Sequence, residues 1–390
     1  MIAHYFKLIW KRKGKNAFLF VQLIFVFWVV FAVFSYGISQ YRYYASPLGF
    51  DWREVYRVQI NFKTEDTAAT RLMIKSLKHD LKAMPETDQV SYSVNVSPYL
   101  GNIWGNGNDN DGFVFNARYM YADEDYARVW KIPMKSGRFY TREDLNSKYT
   151  PVVVTQKFVD KFMKGKEPLG FKFHFTKEME TEIIGVAENF KFQGDFTEED
   201  PFLFVPLADD ATDLHQAINV RVKPGTGPEV EKKINDLVEN ATKNNDFSLV
   251  KVDITRKSTN SRTYIPLAAM FFLAIFLIIN ISMGLFGILR YNIARRIPEI
   301  GLRKAVGAST GAVRRQFTGE MLVLVVLAFV IAVIFAVQLP FITTLPIEKD
   351  AYFMGIGAGA LLIFVLVYGC TLAPSQQAAM TLPAKALHEE

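Results

Sequence analysis

The sequence contains one cysteine, Cys370, so it forms no intrachain disulfide, and an oxidising compartment is neither supported nor excluded. Its histidines, His4, His79, His174, His215 and His388, are scattered at no ligand spacing, and no metal site is expected. No GxSxG, HExxH or paired nucleophile and base occurs, so nothing marks the chain as an enzyme. A phosphate-cradling loop is also missing. Such a loop needs GxxxxGK followed by Ser or Thr, because the glycines let backbone N–H groups close around the phosphates while the lysine neutralises them. Neither GTGPEVEK nor RKGKN supplies that spacing, so any ATPase that works with this chain is expected on another polypeptide. The segment GNIWGNGNDNDG, residues 101–112, faintly resembles a calcium loop. Counting back from Gly112, however, puts Gly107 where the first Asp belongs and Arg118 where the closing Glu belongs. A flexible polar tip is expected there, with Trp104 the candidate for contact with a partner or cargo. The acids Glu198, Glu199, Asp200, Asp209, Asp210 and Asp213 cluster, and a solvated surface is the default for such runs.

Charge is the scarcest property over four long stretches. Residues 17–38, 263–289, 321–339 and 351–373 contain no Asp, Glu, Lys or Arg. At about 1.5 Å per residue each approaches or exceeds the roughly 30 Å hydrocarbon core of a bilayer. Four spanning helices are therefore expected. A cleavable signal peptide is the rival for the first, but its apolar part is usually about 7 to 15 residues long and ends at small residues. Here the run is longer and closes in the aromatic, interface-type sequence of residues 36–44, so an uncleaved anchor is the expectation. With no mid-span ionisable group, a transporter with a charged route through the bilayer is disfavoured.

The cations lie between these stretches. Residues 1–16 carry Lys7, Lys11, Arg12, Lys13 and Lys15 without an acid, and residues 290–320 carry Arg290, Arg295, Arg296, Arg303, Lys304, Arg314 and Arg315 against Glu299 and Glu320. Lys349 is the one cation in residues 340–350. By the positive-inside rule the first two segments face the cytoplasm and the third the outside. Both termini, including the tail at 374–390, are then cytoplasmic, and residues 40–262 form an extracytoplasmic domain. The net charge of +6 is concentrated in the cytoplasmic segments, which argues for membrane orientation and lipid contact rather than nucleic-acid binding.

Within residues 40–262, residues 52–62 alternate as a half-buried strand, 67–84 show helical spacing of apolar side chains, and 90–96 alternate again. Residues 217–222, 229–241 and 247–254 repeat the order strand, helix, strand. Two βαβ units separated by an insertion, about 112–207, predict an α+β domain with a split ferredoxin-like lobe and a strand-rich second lobe. In the last span, Gly355, Gly357 and Gly359 give a small-residue face that suits intrachain packing and dimerisation equally.

The stretch RYNIARRIPEIGLRKAVGASTGAVRRQFTGE, residues 290–320, organises the rest. Its plainest reading is a topology signal. Ile297, Ile300, Leu302 and Val306 recur at roughly helical spacing, which predicts a short amphipathic helix with an apolar and a basic side. Gly307 is placed to end that helix, and Ser309 or Thr310 to cap the next.

The order of residues carries more. EIGLRKAVGAS at 299–309, then VRRQF and Glu320 at the mouth of an apolar helix, resembles the cytoplasmic coupling segment of MacB-like and FtsX-like ABC transporter permeases. GRFYTREDL at 137–145, PVVVTQKF at 151–158, PLG at 168–170 and EIIGVAENFKFQ at 182–193 resemble the periplasmic core domain of the same family. The tail resembles the family's ending, although the usual arginines are mostly absent. The resemblance implies a permease subunit of the bacterial inner membrane that transmits motion to its periplasmic domain and holds no cofactor, with ATP and Mg bound by a partner ATPase. It implies coupling to that ATPase through Ile297, Glu299, Ile300, Leu302, Arg303, Lys304, Val306, Gly307 and Ser309. A second permease chain, identical or homologous, is expected to complete the seat for two ATPase subunits, and a periplasmic or outer-membrane partner fits the external domain. Export or extraction of a hydrophobic or peptidic substrate is the expected outcome; an FtsX-like signalling subunit that regulates a periplasmic partner such as a cell-wall hydrolase is the alternative.

Overall fold

The computed structural model describes residues 13–62, 67–94, 97–99, 104–108, 113–207, 216–242, 246–343, 345 and 347–380. It divides into an external unit, Tyr43–Thr263, and a helical unit made of Met1–Arg42 and Tyr264–Glu390. The first described element is the long helix α1 (Lys13–Ala45), which continues past the uncharged run to the start of the external unit.

In the external unit, β1 (Val55–Asn61), α2 (Thr67–Ala83) and β2 (Thr87–Val94) form the first βαβ unit. The inserted elements follow: β3 (Trp104–Asn108), β4 (Phe115–Ala122), α3 (Tyr126–Trp130), β5 (Met134–Gly137), β6 (Thr150–Thr155), β7 (Lys172–His174), β8 (Glu180–Ala187) and β9 (Phe202–Pro206). Then β10 (Gln216–Val222), α4 (Glu229–Thr242) and β11 (Asp246–Lys251) form the second unit. The order β11-β1-β10-β2, antiparallel throughout, is that of a ferredoxin-like sheet. Alternation puts Tyr56, Val58 and Ile60 on one face, where they meet Ile74, Leu77 and Leu81 of α2 and Val230, Ile234 and Val238 of α4. Those helical positions recur every three or four residues, so each helix presents one apolar stripe.

The insertion extends this sheet. A single pairing, Ser93 with Ala122, joins β2 to β4, after which the order runs β4-β9-β6-β8-β5, giving eleven strands with β3 and β7 paired at the side. The second lobe has its own core, built on Phe115, Val152, Val154, Phe158, Phe173 and Leu203. The expected polar tip differs in part: residues 104–108 are strand β3, in antiparallel register with β4 from Trp104↔Tyr119 to Asn108↔Phe115. The sequence WGNGN has no apolar alternation to announce a strand, so backbone hydrogen bonds to the edge of β4 supply what its side chains do not. The strand expected at 247–254 ends at Lys251, because Val252 already begins the next helix.

That helix, α5 (Val252–Ala294), precedes α6 (Ile297–Ala305), α7 (Thr310–Ala336), α8 (Leu339–Ile342) and α9 (Lys349–Met380). Among the described residues four helical segments are long and apolar enough to cross a membrane: Ala17–Ala45, Val252–Tyr291, Thr310–Ile342 and Lys349–Leu372. All outrun the uncharged stretches, because hydropathy marks the apolar part of a helix and not its ends. The first turn of α5, for example, is polar and carries an Asp253–Lys257 pair at 2.7 Å. At the other end α9 continues through Pro374 to Met380, into the segment that the sequence reads as a tail.

The helical unit closes around Leu23, Phe27, Phe31, Leu285, Met321 and Leu324. On α9, a Cβ at Gly355 would lie 2.1 Å from Ser35 Oγ of α1, and one at Gly359 would lie 3.6 Å from Phe27, Val30 and Phe31 atoms. Gly357 faces open space. Two of the three glycines thus serve close packing of α1 on α9. Arg42 at the end of α1 pairs with Glu348 at 2.6 Å and with Asp350 at the head of α9. Outward, Phe272, Phe276 and Met283 of α5 are exposed, as a lipid-facing surface requires.

Candidate functional site

The cationic stretch forms a helical hairpin in which a tight turn at Arg295 and Arg296 separates α5 from α6. The Arg296 N–H donates to Ile293 O at 2.8 Å, and Ile300 N–H returns to Arg296 O at 2.9 Å, so α6 begins at once. It stops at Gly307, whose φ of +102° lies in the left-handed region that only glycine enters without strain. Ser309 then caps α7: its Oγ accepts from Ala312 N–H at 3.2 Å and satisfies one of the orphan donors of the first turn.

At 100° per residue, Ile297 and Ile300 point one way on α6, and Leu302 and Val306 nearly the opposite way. Ile300 is 4% exposed and belongs to the core of the helical unit, whereas Leu302 and Val306 are 59% and 83% exposed. The single apolar side expected from the sequence is therefore two sides: one seats the helix and the other is presented to the surroundings. Ile297 is half-buried. Glu299, Arg303 and Lys304 lie on α6, but their side chains fall outside the described ones. Trp104 likewise has a described backbone, in β3 of the external unit, and no described side chain.

Sequence reasoning missed what holds the hairpin closed. Arg296 and Glu320 are both about 8% exposed, and Arg296 Nη1 donates to both carboxylate oxygens at 3.1 Å. The guanidinium lies 5.4 Å from the Phe317 ring, and Gln316 Nε2 donates to Glu320 Oε1 at 3.2 Å. This buried pair joins the turn before α6 to the end of the third turn of α7. Its signal in the sequence was Glu320 itself, an acid at the mouth of an uncharged span, where an unpaired charge is too costly to keep. No group of His, Cys, Asp or Glu suited to a metal ion occurs among the described residues.

Residues 23–237 match the family model of the MacB-like periplasmic core domain, and residues 270–382 match that of the FtsX-like permease C-terminal region. The chain belongs to the MacB-like and FtsX-like family of ABC transporter permeases. The second match contains the whole hairpin. Among curated relatives, the macrolide export ATP-binding/permease protein MacB of Neisseria meningitidis is 26% identical over 283 residues, covering 68% of this chain and 42% of that protein. The pyoverdine export ATP-binding/permease protein PvdT of Pseudomonas putida is 25% identical over 327 residues, covering 80% and 48%. The permease thus spans less than half the length of either. The crystal structure of the periplasmic region of MacB from Actinobacillus actinomycetemcomitans is similar over 54% of this chain and 94% of its own, at 17% identity and a TM-score of 0.39. Family membership and the four apolar helices together make this a membrane protein of the permease type.

Proposed function

We propose that the chain is the permease subunit of an ATP-driven ABC transporter, in which a separate ATPase binds ATP and Mg and this subunit converts hydrolysis into motion of its external domain. The observation that carries this reading is α6: Ile300 and the Arg296–Glu320 pair hold it firmly, while Leu302 and Val306 stand exposed on its other side. A short helix that shows a leucine and a valine to water, framed by cations, suits helix-in-groove docking. The apolar pair supplies the contact area, and Glu299, Arg303 and Lys304 set its orientation.

The hairpin and both termini then face the cytoplasm from the bacterial inner membrane, and the external unit faces the periplasm. A second permease chain completes the two-fold seat that a pair of ATPase subunits needs. Relatives named for macrolide and pyoverdine export make a hydrophobic or peptidic substrate, taken from the periplasmic side, the substrate class to test first. With residues 1–390 co-expressed beside a candidate ABC ATPase chain that the unaltered permease co-purifies, Leu302→Asp and charge reversal at Arg303 and at Lys304 are expected to abolish co-purification of the ATPase and its stimulated hydrolysis. Unchanged association and unchanged stimulation in all three variants would sink the proposal.

A further inference from the structure

The segment between β8 and β9 contains the family-like sequence ENFKFQ and then GDF, to which the coupling reading assigns no task. In the external unit this one segment grips the end of one long helix and the start of another. At the end of α1, Lys191 is 1% exposed, and its ammonium donates to Tyr43 O and, at 3.1 Å, to Ser46 O. Its backbone N–H donates to Leu48 O at 2.9 Å. The last carbonyls of a helix have no intrahelical partner and carry the negative end of its dipole, so a buried cation there closes α1 in a way a neutral side chain does not. Phe196 also stacks on Tyr44, with ring centroids 5.3 Å apart.

Four residues further on, Asp195 is 3% exposed and accepts from three groups: Tyr99 Oη at 2.6 Å, Arg256 Nη2 at 2.5 Å and Asn260 Nδ2 at 2.8 Å. Arg256 and Asn260 are four residues apart on the first turns of α5 and therefore share a face. The Arg256 guanidinium lies 4.4 Å over the Trp52 ring. Gly194, at φ +129°, lets the chain reach Asp195 beside the Tyr99 ring, which a Cβ would meet at 3.3 Å. On either side of Lys191 the segment is fixed to the sheet: Phe190 and Phe192 are buried against Phe202 of β9, at 5.5 and 5.7 Å between rings.

We propose that residues 189–197 are a two-armed clamp, Lys191 on the last turn of α1 and Asp195 on the first turns of α5, through which the two helices drive the inserted half of the external sheet. The driving role rests on the lever reading above; the clamp itself does not. An ammonium among carbonyls and a carboxylate among three donors are charge-assisted hydrogen bonds, stronger and more directional than the apolar contacts nearby. Because both arms sit on the β8–β9 connection, a displacement of either helix is delivered directly to the inserted half, alongside the backbone path from α5 into β11.

The test is hydrogen exchange of residues 1–390 in lipid nanodiscs, without ATPase or substrate. Lys191→Met is expected to raise exchange at least tenfold at residues 43–48 and leave 253–262 protected. Asp195→Asn is expected to do the reverse, and Lys191→Arg, which keeps the cation, to retain wild-type protection at 43–48. Protection of β1 should stay unchanged in every variant. Unaltered exchange in both segments, or loss that spreads equally to β1, would overturn the clamp, the latter because it marks the residues as general folding determinants. If exchange responds as stated but ATPase-driven substrate efflux is normal in both variants, the clamp stands and its driving role fails.

Discussion

Removing one member of the Arg296–Glu320 pair should damage the permease more than removing both. Each group is almost fully buried, and Arg296 Nε has no hydrogen-bond partner among the described residues, so the guanidinium relies on Glu320 for its compensation. Arg296→Met strands the carboxylate and Glu320→Met strands the guanidinium; breaking a buried pair in this way costs about 3–5 kcal/mol. The double variant replaces the pair by two apolar side chains of similar length next to Phe317, and such replacements are about neutral to a few kcal/mol stabilising. Cys370, half-buried in α9 and the one thiol in the chain, provides the assay: a thiol-reactive dye added during a thermal ramp reports unfolding of the helical unit. The single variants are expected to lower the midpoint by about 6–20 °C and the double variant to recover most of it, a coupling of about 6–10 kcal/mol. A double variant that loses the sum of the two single losses would refute the reasoning, since the two residues would then act independently.

Two further outcomes follow from packing and burial. In the external unit the Asp123 carboxyl is buried, with no partner for Oδ1 among the described residues, and burial pushes it up to about 7 despite the Lys78 ammonium 2.5 Å away. The folded state then holds a proton that the unfolded state releases above pH 3.8, so stability should fall as pH rises from 3.8 to about 7, by about 4 kcal/mol. Asp123→Asn should flatten that slope in denaturant titrations followed by tryptophan fluorescence; a variant with the wild-type slope would contradict the assignment. On α9, Gly355→Ala should destabilise the helical unit by about 1–3 kcal/mol, because its Cβ would meet Ser35 Oγ at 2.1 Å, while Gly357→Ala should be near neutral. Equal effects in the dye assay would mean that α1 and α9 do not pack through Gly355.

Much of this architecture follows from patterns that chemistry fixes locally. Four runs without charge must leave water, and they appear as four long helices. Alternation at 52–62 and 217–222, with stripes at 67–84 and 229–241, is enough for a double βαβ fold, since each pattern admits one buried face. Gly307 and Ser309 mark the ends of α6 and α7 because stopping and starting a helix needs a left-handed residue and a side-chain acceptor. What these patterns cannot convey is which faces meet. Ile300 and Leu302 are equally apolar in the sequence, yet one is buried and the other exposed, because only the position of α7 and the other helices decides which side of α6 is inward. The β3 strand was invisible for a related reason: it is held by hydrogen bonds to β4, and its own side chains carry no strand signal.

The sequence by itself therefore determined the number of spans, the order of the two βαβ units that flank the insertion and the family, since periodicity, charge and motif act over short distances along the chain. Tertiary structure alone decided that Arg296 closes on Glu320, that Lys191 and Asp195 reach two helices from one loop, and that Gly355 rather than Gly357 admits a neighbour. Each of these joins residues far apart in the chain, and the energy of a buried charge or a close contact depends on what surrounds it in space.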